Sequence, residues 1–204
     1  LDGHGFLDSP RFAELRRDID DAFLRSATRP ASHAGGAYPD DGDALRLAFD
    51  GFFAPPEGPG AIDGRSAPAS PVRGVIAPHI DFTRGGPAYA WAYRDIAERC
   101  DADLFIIFGT CHAGMADPFT LTRKDYETPL GAAPVDRDVV EALATRAGQD
   151  CFASELAPHP VLIHGDADFV LRQGRLAKHG GHTSRTSVLD TRGGGCRLER
   201  RWNG

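Results

Sequence analysis

Two short apolar runs with a helical pattern between them constrain the fold of this chain most strongly. VRGVIA (72–77) and LFIIF (104–108) are rich in β-branched and aromatic residues, as is usual for strands buried on both faces. PAYAWAYRDIAERC (87–100) lies between them and repeats its apolar residues at helical spacing, with Tyr89, Tyr93 and Ile96 on one side. This order predicts an α/β fold with a mixed or mostly parallel sheet flanked by helices.

Further elements are predicted on both sides of this unit. FTLT (119–122) is a third strand, and VDRDVVEALATRAG (135–148) is a helix that ends at Gly148. Near the amino terminus, Asp8 or Ser9 caps a helix that begins at Pro10, with an apolar stripe of Phe12, Leu15, Ile19 and Phe23. Asp43 is the predicted cap of a second helix, DALRLAFDGFF, which buries Leu45, Phe49 and Phe52.

The composition changes along the chain and predicts four segments. Residues 1–53 form a helical segment that leads into the α/β core, and residues 54–71, rich in Pro, Gly, Ala and Ser, form a linker or surface loop. The core covers 72–157. Residues 158–204 have no sustained periodicity and predict a loop-like tail.

Charge and cysteine usage exclude several classes of function. The net charge is −6, which argues against general binding to nucleic acid or anionic lipid. No apolar run approaches the roughly 18 to 20 residues that cross a bilayer. The four cysteines form no CxxC pair, so we expect a cytoplasmic protein with reduced thiols, no membrane and no nucleic-acid partner.

A histidine follows each of the two predicted strands. His79 lies two residues after VRGVIA, and His112 lies four residues after LFIIF. Ligands of parallel α/β sheets bind at the carboxyl ends of the strands, and neutral imidazole suits Fe, Zn and Cu. The pattern predicts that the two histidines form half of a metal site. The alternative is that each is a hydrogen-bonded loop residue.

Three further residues are candidates for lining the same pocket. His33 lies among turn residues in ASHAGGAY, and Asp81 follows His79 closely. Cys111 precedes His112, although adjacent residues on an extended chain point apart. Asp81 and Arg84 suit either a polar substrate or a solvated surface.

Four stretches together resemble the Memo family: RPASHAGGAYPDDGDALRLAFDGFF, GVIAPHIDF, FIIFGTCHAG and YETPLGAAPVD. That family includes protein B of the AmmeMemoRadiSam system and is similar in fold to class III extradiol dioxygenases. The resemblance implies that His79 and His112 ligate a single iron ion, with copper as a second candidate. It also implies a functional link to radical SAM and AMMECR-type proteins, and it names no substrate, which would be a small molecule or a peptide.

The resemblance ends near Glu155. The acidic-His-Ser motif, the Asp-x-x-His pair and the cysteine in a Cys-Gly context that the family carries are absent, and Cys196 lacks that context. Residues after about 157 are therefore hypothesised to be non-homologous, through a shifted reading frame or a truncated gene product. Reading the DNA in the other two frames tests this hypothesis.

Three functions remain open at this point. The chain is a metal-dependent, dioxygenase-like oxidoreductase, a non-catalytic binding or scaffold protein that uses the same cleft, or a truncated and inactive family member with exposed apolar surface. Only two of the three protein donors that such sites need are identified in the sequence.

Overall fold

A computed structural model describes residues 1–62, 71–100, 102, 104–111, 119–148, 150–155 and 185–192. For Thr110, Cys111 and residues 185–192 it describes the backbone only. In chain order the elements are α1 (Pro10–Arg25), β1 (Thr28–Arg29), α2 (Gly42–Phe52), α3 (Phe82–Arg99), β2 (Leu104–Cys111), β3 (Phe119–Leu121), β4 (Asp125–Thr128), β5 (Gly131–Ala133), α4 (Arg137–Ala147) and β6 (Arg185–Arg192).

The strands within the described residues form two mixed sheets of three strands each. In the first, β6 lies between β2 and β3, parallel to β2 and antiparallel to β3. In the second, β4 lies between β1 and β5, parallel to β1 and antiparallel to β5. The predicted α/β class with a mixed sheet and flanking helices is confirmed. None of the described helices is long and apolar enough to span a bilayer.

A first apolar cluster joins α2 to α3. Its buried members come from the turn at Tyr38, from α2 and from one face of α3: Tyr38, Leu45, Phe49, Phe82, Tyr89, Tyr93 and Ile96. The Phe82 ring is central, because its centroid lies 5.3 Å from that of Phe49 and 5.5 Å from that of Tyr89. The predicted buried side of the helix, with Tyr89, Tyr93 and Ile96, is confirmed.

A second apolar cluster lies under α4 and contains Leu121, Tyr126, Ala133, Val135, Val140 and Cys151. Beside it, the buried Arg29 of β1 places its guanidinium carbon 5.1 Å from the centre of the Phe23 ring and 5.4 Å from that of Tyr126. Phe23 is the buried member of the predicted stripe of α1, whereas Phe12 and Ile19 are exposed. The first helix therefore packs through its last turns.

The helix starts are set by side chains that accept backbone hydrogen bonds. Ser9, one of the two predicted caps of α1, accepts a hydrogen bond from the N–H of Phe12. The cap of α2 is Asp41, not Asp43, because the Asp41 carboxylate accepts from the N–H groups of Asp43 and Ala44. Helix α3 begins at Phe82, five residues before the predicted start, because Asp81 is its cap and Pro87 lies inside it. Proline favours a helix start, which is why a start at Pro87 was predicted.

Two predicted elements differ from the structure. Residues 72–77 were expected to be a strand but have no regular secondary structure, and Ile76 is 99 % exposed. A β-branched run becomes a strand only where a neighbouring strand pairs with it. Conversely, the tail expected to be loop-like contains β6 over eight residues, although RTSVLDTR has no alternation of apolar and polar residues that would predict a strand.

The first part of the expected linker is also packed. The indole N–H of Trp91 donates to the Glu57 carbonyl at 2.9 Å, and Arg94 donates to the Pro59 carbonyl. Residues 54–62 are therefore held against α3 through backbone carbonyls. Residues 63–70 lie outside the described residues.

Candidate metal centre at the start of helix α3

His79 lies close to the amino-terminal end of α3, on a segment that runs alongside the helix. The N–H of Val72 donates to the Arg99 carbonyl at 2.9 Å, so the segment begins beside the carboxyl end of α3. Ten residues later it enters the same helix at Phe82. Ala77 and Ile80 pack on the first cluster, while His79 itself is exposed. The histidine is therefore presented to solvent by a segment that is anchored on both sides.

Asp81 makes the turn from this segment into the helix. Its Oδ1 accepts a hydrogen bond from the Arg84 N–H at 3.0 Å, and its Oδ2 accepts one from Arg84 Nε at 2.6 Å. These bonds to Arg84, the side-chain bond first, lower the pKa of Asp81 below its ordinary value. Asp81 is therefore a helix cap, whereas the alternatives expected from the sequence were substrate binding and a solvated surface.

Tyr89 holds the backbone between His79 and Asp81. Its hydroxyl donates to the Ile80 carbonyl at 2.8 Å and accepts from the Ile80 N–H at 3.2 Å. The side chain is fully buried. The spacing of the apolar residues predicts Tyr89 on the buried side of the helix, but it predicts no part for Tyr89 in the site, because a bond to a backbone nine residues earlier has no periodic signal.

His33 lies in a turn that packs on the same cluster. Its carbonyl accepts from the N–H groups of Gly36 and Ala37 at 3.1 and 2.8 Å. Gly35 has a φ of 79°, a left-handed conformation that favours glycine, and its N–H donates to the Tyr38 carbonyl. The half-buried imidazole loses hydration, which lowers the pKa of His33 and favours the neutral form.

The chain segments that carry His33 and His79 therefore share one support. Ala34, Ala37 and Tyr38 on one side, and Ala77 and Ile80 on the other, pack on the first cluster. The Tyr38 and Phe82 rings lie 5.8 Å apart between centroids and connect the His33 turn to the first residue of α3. This common support is what the structure adds to the predicted pocket.

His112, the second predicted ligand, comes directly after β2 in the sequence. Cys111 is the last residue of β2, with its Cα opposite that of Arg192, and its side chain is not described. His112 lies outside the described residues, so the pairing of His79 with His112 stays a prediction. Over the described ranges, no group of three or more His, Cys, Asp or Glu side chains is arranged to hold a metal ion.

Comparison with known proteins identifies the family. A model of the family described as "Memo-like protein" matches residues 29–157. A MEMO1 family protein of Methanopyrus kandleri is 31 % identical over 121 residues, which cover 59 % of this chain and 43 % of the relative. Another from Thermotoga neapolitana is 32 % identical over 138 residues, 64 % of this chain and 49 % of the relative.

A third MEMO1 family protein, from Methanothermobacter thermautotrophicus, is 32 % identical over 139 residues, 67 % of this chain and 50 % of the relative. The chain belongs to the Memo-like protein family. It spans about half the length, or less, of these relatives, and the matched region contains both predicted metal ligands.

Proposed function

We propose that this Memo-like chain supplies His79 and His112 to an iron site related to those of non-haem dioxygenases, as a component of the AmmeMemoRadiSam system. Copper is the second metal to be considered. The observation that carries the proposal is the exposed His79 on a turn anchored by Ile80 and capped by Asp81. Fixed backbone around an exposed imidazole is the arrangement that a preorganised ligand requires.

The order of the elements supports a meeting of the two histidines. Helix α3 has 18 residues and rises about 27 Å, while β2 has 8 residues and spans about 26 Å. The chain leaves α3 at Arg99, enters β2 at Leu104, and packs Phe105 on the cluster that lines α3. We expect β2 to run back along α3, so that the carboxyl end of the strand lies level with the start of the helix. His112, one residue after β2, is then expected near His79.

The donor chemistry fits a first-row transition metal. Imidazole must be neutral to bind a metal. The lowered pKa of His33 favours its neutral form, so this histidine adds no positive charge to the proposed pocket near neutral pH. Asp81 stays ionised and places a negative charge two residues from His79. A bound iron ion would supply Lewis-acid and one-electron redox chemistry. In this proposal His79 and His112 hold the ion.

Metal analysis of the full chain tests the proposal. The chain is purified anaerobically, and iron, copper and zinc are measured together for the unmodified protein, His79→Ala, His112→Ala and the control His4→Ala. His4 is exposed in the turn before α1 and lies outside the proposed site. We expect bound iron that both site variants lose and the control keeps. Absence of metal from the unmodified chain, or its retention in both site variants, contradicts the proposal.

A non-catalytic role is the second candidate, and one observation favours it. Ile106 and Phe108 of β2 expose 49 % and 63 % of their surfaces, and apolar strand faces of this kind mark binding surfaces or incomplete folds. A binding or scaffold protein that uses the same cleft would keep its affinity for a small molecule or peptide after the metal is removed. An inactive, partial family member would aggregate and be cut readily by proteases. Co-purification with radical SAM and AMMECR-type proteins tests the proposed system.

A further inference from the structure

We infer that Tyr89 is a positioning residue that holds the His79–Asp81 turn in place for the metal site. The inference rests on the proposed function for its chemical purpose, but its structural part stands on contacts within the described residues. Tyr89 does not touch the ion in this proposal. It acts through the backbone of Ile80, the residue between His79 and Asp81.

The contact is a reciprocal pair of hydrogen bonds. One phenol oxygen donates to the Ile80 carbonyl at 2.8 Å and accepts from the N–H of the same residue at 3.2 Å. Both peptide groups that flank the Ile80 Cα are thereby fixed by a single side chain. Because these peptides join Ile80 to His79 and to Asp81, fixing them restricts the direction from which the His79 side chain leaves the backbone.

Tyr89 is well placed for this task because it cannot move easily. It is fully buried, and its ring packs edge-on against Phe82 with 5.5 Å between centroids. Its position on α3 is two turns from the cap at Asp81, and its hydroxyl bonds Ile80, the residue next to that cap. The helix therefore holds the turn by a cap at its start and by a side-chain bond from its interior.

Gly85 lets the turn approach the helix closely enough for these bonds. A Cβ on Gly85 would collide with Cγ2 of Ile80 and would lie 3.1 Å from Cε2 of Tyr89. Glycine at this position thus leaves room for Ile80 to sit against α3 within reach of the phenol. We call these contacts among Ile80, Gly85 and Tyr89 the lock, because together they hold the turn against α3.

The test compares Tyr89→Phe with Tyr93→Phe in the full chain. Tyr93 is buried on the same face of α3, one turn further from His79, and serves as the matched loss of a hydroxyl. Three quantities are measured: hydrogen exchange of the Ile80 amide, the imidazole resonances of His79 in the metal-free chain, and affinity for Fe²⁺ under anaerobic conditions. Cu²⁺ loading followed by electron paramagnetic resonance adds a spectroscopic signature of the ligand set.

In Tyr89→Phe we expect Ile80 amide exchange to accelerate about tenfold, the His79 resonances to shift, and Fe²⁺ affinity to fall about tenfold. Tyr93→Phe should leave all three near the values of the unmodified chain. Unchanged Ile80 exchange overturns the inference. Accelerated exchange with unchanged His79 resonances and unchanged affinity overturns the positioning role.

Two further outcomes keep the inference separate from the proposed function. If the unmodified chain binds no metal, the proposed function fails, and the lock is judged on Ile80 exchange and His79 resonances alone. If Tyr89→Phe does not fold, Gly85→Ala replaces it, because the added methyl group displaces Ile80 from the same lock. The same shift of the His79 resonances is then expected, and its absence contradicts the inference.

Discussion

Asp81 and Arg84 are joined twice at the first turn of α3. The Asp81 carboxylate accepts one hydrogen bond from the Arg84 N–H at 3.0 Å and a second from Arg84 Nε at 2.6 Å. The first bond caps the helix and the second is an ion pair between two partly exposed side chains. Together they fix the residue that follows the His79–Ile80 peptide unit.

We therefore expect Asp81→Ala to lower the melting temperature more than Asp81→Asn, since asparagine is also an effective cap. The folded-state pKa of Asp81 lies below its ordinary value of 3.8. Its contribution is present above that value and is lost as the pH falls through the lower, folded-state pKa. Melting curves between pH 2 and 6 should show a weaker acid dependence for Asp81→Asn than for the unmodified chain.

Arg84→Ala is the companion variant, because it removes the ion pair and keeps the backbone bond. We expect its melting temperature to lie between those of the unmodified chain and Asp81→Ala. If Arg84→Ala matches Asp81→Ala, the helix cap contributes nothing and the interpretation is wrong.

Two helical glycines should respond to alanine in opposite directions. Gly85 is buried against Ile80 and Tyr89, whereas a Cβ on Gly51 of α2 would meet nothing within 4 Å. We expect Gly85→Ala to lower the free energy of unfolding by about 1–3 kcal/mol through overpacking. Gly51→Ala should raise it by about 0.5–1 kcal/mol, because alanine is the better helix former. Urea unfolding of both variants measures the pair, and stabilisation by Gly85→Ala would show that the turn does not sit tightly on α3.

His33 should make the folded chain sensitive to mild acid. Partial burial lowers the pKa of the imidazole from its ordinary value of 6.5, so the unfolded chain binds the proton more readily than the folded chain. Stability is therefore full above about pH 6.5 and declines as the pH falls below it. His33→Gln should flatten this decline between pH 7 and 5 in thermal melts. A His33 imidazole that titrates at or above 6.5 by NMR would contradict the prediction.

The exposed face of β2, which carries Ile106 and Phe108, should promote self-association. Phe108 is 63 % exposed, while Phe105 on the opposite face is packed against the first cluster. Phe108→Thr keeps a strand-forming residue and should reduce association at high concentration, as measured by sedimentation velocity. Phe105→Thr is the matched control and should instead destabilise the fold, by about 1–3 kcal/mol. Equal association of the unmodified chain and Phe108→Thr would show that this face is protected.

The sequence predicted the parts of the fold that depend on local periodicity. Local patterns predicted the buried side of α3, a cap of α1 at Asp8 or Ser9, and strands at 104–108 and 119–122. Family membership was predictable too, because the motifs around His33, His79 and His112 are contiguous stretches of sequence. The matched region at 29–157 contains all of them.

The sequence failed where pairing or approach between distant residues decides the structure. The 72–77 run has strand composition, yet its first backbone bond goes to Arg99 at the end of a helix. The pairing of β6 with β2 joins residues about eighty positions apart, which no local pattern encodes. The Tyr89–Ile80 bond was missed for a related reason, since buried tyrosines at helical spacing indicate only a packed face.

The positions of the first cluster's residues along the chain also determine which part can fold first during synthesis. All its fully packed members lie between Tyr38 and Ile96, whereas β2 pairs with residues 185–192. The amino-terminal part of a growing polypeptide leaves the ribosome first. The scaffold beneath the His79 turn can thus assemble while the strand that completes the sheet has yet to be translated.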